Sequence, residues 1–225
     1  MNLSRHFTLA ELTHSNTAQA EGIPNQPGPA ETEALRALCS AVLDPLREAL
    51  GRAVKVTSGY RGPALNKRIG GATSSQHLRG EAADVQAPGL PVLEVFKTVI
   101  RQRLPFDQII YEAQNATTKW VHVSHTAAGA NRGEIRVAQF GANGKPTAYP
   151  VVSEAQALAM TEAVTRGRAA PEMAFVETGD EPPQEAEAKQ PARRSPAPAK
   201  KTPTRKAAAK AGKRAKKAPA KKAPR

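Results

Sequence analysis

The net positive charge of this chain lies in its C-terminal segment. Residues 187–225 carry 15 Lys and Arg against one Glu, whereas the preceding 186 residues carry 18 basic and 19 acidic residues. Eight prolines lie between Pro182 and Arg225, and no aromatic residue follows Phe175. Such a segment cannot bury enough apolar surface to offset the entropy of ordering the chain. We therefore expect residues 181–225 to form a disordered, basic tail rich in Lys, Ala and Pro.

The preceding residues have the composition of a folded domain. Residues 1–150 contain all the aromatic residues except Phe175 and are long enough for one hydrophobic core. Helical spacing over residues 31–50 and five short strand-like segments follow one another without a βαβ alternation. The pattern predicts an α+β fold for residues 1–150, with a small antiparallel sheet and flanking helices. Residues 151–180 are expected to be a helical segment and linker.

A proline interrupts the helical pattern of residues 31–50. Asp44 and Pro45 resemble an N-cap followed by a first-turn proline, and Gly51 follows the last apolar position. We therefore expect two helices in succession, separated by a cap at Asp44, rather than one straight helix.

Two segments together offer a set of metal ligands. Residues 75–84 read SQHLRGEAAD and include His77 and Asp84, while residues 120–124 read WVHVS and include His122. Two imidazoles and one carboxylate leave zinc an open fourth position, as in hydrolytic zinc sites. A closed structural site would need a fourth ligand, and Cys39 is the only cysteine. The residues therefore predict a catalytic Zn²⁺ site.

Strand alternation explains how His122 would reach such a site. In an extended segment, Trp120, His122 and Ser124 share one face and the two intervening valines face the core. His122 would then project from a rigid strand into a cleft lined by Trp120. A hydrogen-bonded histidine on a half-exposed strand is the alternative, and the presence of residues 75–84 favours the metal interpretation.

The order of these motifs resembles a known enzyme family. SGYR at residues 58–61, Asn66, GGAT at residues 70–73 and the ligand segment occur in sequence. Over residues 7–149 the chain resembles the zinc D-alanyl-D-alanine carboxypeptidases and L-alanyl-D-glutamate endopeptidases, the M15-like peptidases that include many phage endolysins. By motif position, the resemblance implies that His77, Asp84 and His122 bind zinc in a catalytic domain spanning residues 1–150.

Further roles are expected for residues near the candidate ligands. Arg61 occupies the position of a family arginine and would stabilise the oxyanion or hold a substrate carboxylate; an arginine in a surface turn is the alternative. Ser75 and Gln76 would orient the site or contact the substrate, although a turn-forming serine would look the same. Trp120 would line the substrate cleft.

The general base is where this sequence departs from the family pattern. Many members carry an acidic residue three positions before the second zinc histidine, and here that position is Lys119. A protonated lysine cannot accept the proton of water. Glu112, at the end of a predicted strand, is the nearest acidic candidate and is assigned this role; a solvated glutamate at a strand end is the alternative. His125 would face away from His122 and is not expected to be a ligand.

The expected function is zinc-dependent hydrolysis of peptidoglycan stem peptides or cross-links. The alternative is a non-catalytic protein that binds polyanions or nucleic acid, with a degenerate peptidase domain and a functional basic tail. Residues 187–225 would attract anionic cell-wall polymers or nucleic acid through charge alone, because they lack aromatic residues for base stacking.

Targeting signals are not recognisable in the sequence. The first ten residues contain no apolar run typical of a secretory signal, and no stretch approaches the ~20 apolar residues of a membrane span. A single cysteine excludes an intramolecular disulfide. We expect a monomer that is synthesised in the cytoplasm and acts at the cell wall after lysis or as a virion component.

Overall fold

The computed structural model describes residues 1–161 and shows the predicted α+β architecture. The basic tail and most of the predicted linker lie outside the described residues, so the domain boundaries stay a prediction. Seven α-helices lie within residues 1–161: α1 (Leu9–Thr13), α2 (Asn16–Glu21), α3 (Pro29–Leu38), α4 (Asp44–Leu50), α5 (Pro63–Arg68), α6 (Val92–Arg101) and α7 (Glu154–Ala159). None of these helices is long and apolar enough to cross a membrane.

The strands form a five-stranded sheet and a separate two-stranded ribbon. In chain order they are β1 (Lys55–Ser58), β2 (Ala82–Gln86), β3 (Gln108–Ala113), β4 (Lys119–Ser124), β5 (Glu134–Val137), β6 (Gln139–Phe140) and β7 (Pro146–Ala148). The large sheet has the order β1-β2-β4-β3-β5, and β6 pairs with β7. β5 and β6 therefore belong to different sheets, although only Ala138 separates them along the chain.

The sheet is antiparallel, as expected, except at one edge. The pairs β1–β2, β2–β4 and β3–β4 are antiparallel, whereas β3 and β5 are parallel. The exception follows from the connection, because β4 ends beside the start of β3. The loop of residues 125–133 then passes to the other side of β3, so β5 begins at the same end as β3.

The two faces of the sheet have different chemistry. Cross-strand partners lie on the same face, and the register pairs Asp84 with His122 and Glu112 with Trp120. The opposite face carries Val85, Val121 and Tyr111, which join the hydrophobic core. Leucines of α3 and α4 and the apolar side of α6 complete this core. One face of the sheet is therefore the core and the other holds the candidate site.

The expected cap at Asp44 is wrong. Asp44 has helical backbone angles (φ −62°, ψ −52°), and a π-helical turn over Cys39–Leu43 joins α3 to α4. In a regular helix the ring of Pro45 would clash with the carbonyl four residues earlier, and the wider π turn accommodates it. The Asp44 carboxylate instead accepts hydrogen bonds from the Ser4 hydroxyl and the Arg5 backbone N–H. The helical segment is thus bulged rather than interrupted.

Candidate metal centre and active site

His77 is held by a short helical turn that the sequence did not reveal. It lies in a 3₁₀ helix, Gln76–Arg79, which ends at Gly80 in the left-handed conformation (φ 71°). A side chain at Gly80 could not be accommodated, because its Cβ would lie 2.4 Å from the Glu31 carbonyl oxygen. The His77 imidazole is buried, and its Nδ1 is 2.7 Å from the Gly59 carbonyl oxygen. Since a carbonyl only accepts, Nδ1 carries the proton and Nε2 presents a lone pair.

Asp84 and His122 are brought together by the pairing of β2 with β4. They are direct cross-strand partners, and both side chains are at most 11 % exposed. Burial alone would raise the pKa of Asp84, but His77, His122 and Arg61 together outweigh burial and hold the pKa well below its usual range. Burial lowers the pKa of His77. The site therefore holds an ionised carboxylate beside a neutral imidazole.

The three candidate ligand atoms lie at the corners of a nearly equilateral triangle. His77 Nε2 is 3.1 Å from His122 Nδ1 and 3.3 Å from Asp84 Oδ1, and His122 Nδ1 is 3.1 Å from Asp84 Oδ1. Atoms bound to tetrahedral zinc at about 2.0 to 2.1 Å lie about 3.3 to 3.4 Å from one another. The triangle thus has nearly the size of one face of a zinc tetrahedron.

The chemistry of these atoms also fits a metal cation. The lone pair of His77 and the carboxylate oxygen of Asp84 both point towards His122 Nδ1. A proton on that nitrogen would be shared between two acceptors, whereas a cation satisfies all three atoms at once. Two imidazoles and a carboxylate with a fourth position open are the ligand type of catalytic zinc. Among the described residues, this is the group of His, Cys, Asp and Glu side chains that could hold a metal ion.

Arg61 is directed at this site. Its Nη2 contacts the second carboxylate oxygen of Asp84, and its Nε donates to the Ser58 hydroxyl over 2.8 Å. Its backbone N–H donates to the His77 carbonyl oxygen. The guanidinium side chain is 16 % exposed. The alternative of an arginine in a solvated surface turn does not describe this environment.

Glu112 lies on the face of the sheet that carries Asp84 and His122, which form the triad of candidate ligands with His77. Its cross-strand partner is Trp120, and the residue is 9 % exposed. Burial, and to a smaller extent the nearby Asp84 carboxylate, raises the pKa of Glu112 to about 7. A carboxyl group with a pKa near neutrality can exchange protons efficiently at neutral pH. A solvated glutamate at a strand end does not fit this buried position.

The side chain of Lys119 does not project towards the triad, although Lys119 occupies the sequence position of the expected acidic residue. It pairs with Ala113 in a regular antiparallel register, three residues before His122. Side chains alternate along a strand, so the alternation that puts His122 on the site face puts Lys119 on the opposite face. The difference from the family pattern at this position therefore does not place an ammonium group next to the ligands.

The remaining candidate residues are distributed around the triad. The Gln76 side-chain amide donates to Asp107 over 3.0 Å, and Asp107 is itself held by the Arg132 guanidinium. The Gln76–Asp107 bond ties the turn carrying His77 to the start of β3, and the Asp107–Arg132 pair, which sequence reasoning missed, holds the Asp107 carboxylate in place. Ser75 precedes that turn without a side-chain cap bond, and Trp120 lies opposite Glu112. No local sequence signal marks the Gly59 carbonyl that orients His77.

Comparison with known proteins identifies the family. The family described as Peptidase M15 matches residues 5–124, which is just over half of the chain. A zinc D-Ala-D-Ala carboxypeptidase of Streptomyces albus G is 34% identical over 84 residues, which are 36% of this chain and 31% of that protein. The chain thus matches about a third of the length of this curated relative. Together with the His-Asp-His centre, the match over residues 5–124 shows that the chain belongs to the Peptidase M15 family.

Proposed function

We propose that this member of the M15 peptidases is a zinc-dependent enzyme that hydrolyses peptidoglycan stem peptides or their cross-links. The observation that carries the proposal is the triangle of ligand atoms from His77, Asp84 and His122, whose edges of 3.1 to 3.3 Å suit a tetrahedral metal. The carboxypeptidase of Streptomyces albus G supports zinc as the metal and a peptide ending in D-alanine as one substrate. All three candidate ligands come together in the described structure, which favours this proposal over the alternative of a degenerate domain.

The zinc ligands in this proposal are His77 Nε2, Asp84 Oδ1 and His122 Nδ1. The chemistry that zinc supplies in such a site is polarisation of the scissile carbonyl and a lower pKa of attacking water. The protein contributes the orientation of the ligands. The Gly59 carbonyl holds the His77 tautomer, and Arg61 engages Oδ2 of Asp84, the carboxylate oxygen that is not the proposed ligand.

Glu112 is the proposed general base. Its carboxylate accepts the proton of the attacking water and later donates it to the leaving amine, which requires a pKa close to the working pH. The raised pKa of about 7 supports this assignment. Trp120, its cross-strand partner, would line the substrate cleft beside it.

Arg61 is the proposed anion-binding residue. Within the described residues, its side-chain hydrogen bonds use Nε and Nη2. In this proposal its Nη1 donates to a substrate carboxylate or to the developing oxyanion. Ser75 would contact the substrate from the segment before His77. Gln76, in contact with Asp107, would act by supporting that segment.

The basic tail is proposed to hold the enzyme on an anionic cell envelope. This role rests on the net charge of residues 187–225 and the absence of aromatic residues there. We propose that the protein acts at the cell wall as a monomer, after host lysis or as part of a virion.

The test compares metal content and hydrolysis in matched histidine variants. His77→Ala and His122→Ala should each lose stoichiometric zinc and the ability to clear purified cell walls. His14→Ala is the control, because His14 is exposed and bonds to Asn16 and Gln19 away from the triad. Chelation of the unaltered protein should abolish activity, and added zinc should restore it.

Product analysis identifies the bond that is cleaved. Release of free D-alanine would indicate a carboxypeptidase, and fragments divided between L-alanine and D-glutamate would indicate an endopeptidase. A purified protein that holds no stoichiometric metal, and whose effect on walls is unchanged by chelator, would refute the proposal.

A further inference from the structure

Asn25 holds the backbone on both sides of Arg61. Its amide Nδ2 donates to the Tyr60 carbonyl oxygen over 3.0 Å, and its Oδ1 accepts from the Gly62 backbone N–H over 2.7 Å. These two groups belong to the two peptide units that flank the Arg61 Cα. One amide side chain therefore restrains the backbone rotation on both sides of Arg61, which sets the direction of its Cα–Cβ bond.

The same amide connects this turn to the N-terminal helices. The second Nδ2 hydrogen of Asn25 is donated to the Thr13 carbonyl oxygen over 2.9 Å. Thr13 is the last residue of α1, and its carbonyl has no partner within that helix. Nearby, the Tyr60 N–H donates to the Leu12 carbonyl oxygen over 2.7 Å. Asn25 thus transmits the position of α1 to the turn that carries Arg61.

The contact is buried and closely packed. Asn25 is 7 % exposed, and all three hydrogen bonds to its amide are between 2.7 and 3.0 Å. A Cβ at Gly59 would lie only 2.2 Å from the Leu12 carbonyl oxygen. The turn at residues 59–62 therefore has little freedom to shift while Asn25 is in place.

We propose that Asn25 is a positioning residue for Arg61. This inference rests on the anion-binding role proposed above for Arg61. The Arg61 backbone N–H reaches the His77 carbonyl and its side chain reaches Ser58 and Asp84. A change in backbone direction at Arg61 would carry the guanidinium away from Asp84 and from the substrate. Residues 1–25 are thereby part of the active-site framework, although in the described structure their side chains make no hydrogen bond or ion pair with His77, Asp84 or His122.

The first test follows Arg61 itself and does not require catalysis. The Arg61 Nε–H bonded to Ser58 should give a distinct ¹H–¹⁵N NMR signal in the zinc-loaded, full-length protein, assigned by its loss in Arg61→Lys. Asn25→Ala should shift, broaden or remove this signal. Asn66→Ala is the matched control, because Asn66 is also buried and its Nδ2 donates to two carbonyls, those of Gly71 and Ala72, in another loop. The control should leave the signal in place.

The second test is a pair of double-mutant cycles on kcat/KM. Asn25→Ala should lower kcat/KM by about 10- to 100-fold, as expected when a reacting group is misplaced, with zinc content unchanged. The same substitution should have no further effect in an Arg61→Ala background, because its target is already absent. Any effect of Asn66→Ala should be retained in that background.

The outcomes are distinct. An unchanged Arg61 signal in folded Asn25→Ala would overturn the inference, and so would Asn25 and Arg61 effects that multiply independently. Full activity in Arg61→Ala would overturn both this inference and the role of Arg61. Absence of hydrolysis by the unaltered protein would count against the proposed function, while the NMR comparison would still decide whether Asn25 positions Arg61.

Discussion

Glu112→Gln should make the metal-free protein more stable while removing its activity. The carboxyl group of Glu112 is buried beside Asp84, so its ionised form is disfavoured in the folded state. Glutamine has nearly the same shape but carries no charge. The substitution therefore removes the cost of burying the carboxylate, and it also removes the group that is proposed to accept a proton from water.

The size and sign of the effect follow from the raised pKa. A pKa of about 7 in place of 4.5 corresponds to roughly 3 kcal/mol of unfolding free energy, at 1.36 kcal/mol per unit. Between these two pH values the folded state retains the proton and the unfolded state loses it, so the contribution of Glu112 to stability falls as pH rises. Above pH ~7, the unfolding free energy of Glu112→Gln should therefore exceed that of the unaltered protein by up to roughly 3 kcal/mol. The two should converge near pH 4.5.

Urea unfolding in the presence of chelator measures this difference. The pH dependence of the other groups is common to both proteins, so the difference between them isolates Glu112. Glu33→Gln is the control, because the Glu33 side chain is 71% exposed and its ion pair within the described residues is a surface contact to Arg36. Its effect should stay within about 0.5 kcal/mol at every pH. With zinc bound, Glu112→Gln should lower kcat by about 100-fold or more with zinc content unchanged.

Two results would refute this reasoning. Equal unfolding free energies at pH 8 would show that the carboxylate of Glu112 is not penalised by its surroundings. Near-normal kcat in Glu112→Gln would show that another group takes the proton, which would remove Glu112 from the mechanism while leaving the metal site untouched.

Two further predictions concern the support of His77 and the role of the tail. Gly59→Ala should weaken zinc affinity by about 10- to 100-fold in a chelator competition. A Cβ at this position would lie only 2.2 Å from the Leu12 carbonyl oxygen, so the backbone must move, and the Gly59 carbonyl that orients His77 moves with it. Unchanged zinc affinity would refute that role of Gly59. Deleting residues 187–225 should leave cleavage of a small soluble peptide unchanged but weaken action on whole walls at low salt, with a smaller loss at high salt. Equal turbidity loss by both forms at low salt would exclude retention by charge.

Elements whose signals are local could be predicted from the sequence. The helix α5 begins at a proline, Pro63, a residue that favours the first helical turn, and the capping-box spacing of Thr8 and Glu11 marks the start of α1. These signals act between residues a few positions apart, so they survive without knowledge of the rest of the fold. The position of Asp44 inside the helical segment, instead of at an N-cap, could not be predicted in this way, because its carboxylate bonds to Ser4 and Arg5 in a distant part of the chain.

The sequence by itself determined the ligand types and the face on which His122 lies. The residue types show which side chains can bind zinc. Strand alternation places His122 on the face opposite to that of Val121 and Val123. Only the tertiary structure decided that His77, Asp84 and His122 meet, since this depends on the register of β2 with β4 and on a 3₁₀ turn.

The tertiary structure also decided which neighbours tune the site. Lys119 stands at an expected acidic position in the sequence, yet the strand directs it to the face opposite His122. Asn25 carries no motif of its own, yet it holds the turn of Arg61 from 36 positions away. The physical reason is the same in both cases. The identity of a residue determines the chemistry of its side chain. The direction, burial and hydrogen-bond partners of that side chain are determined only when distant segments pack against one another.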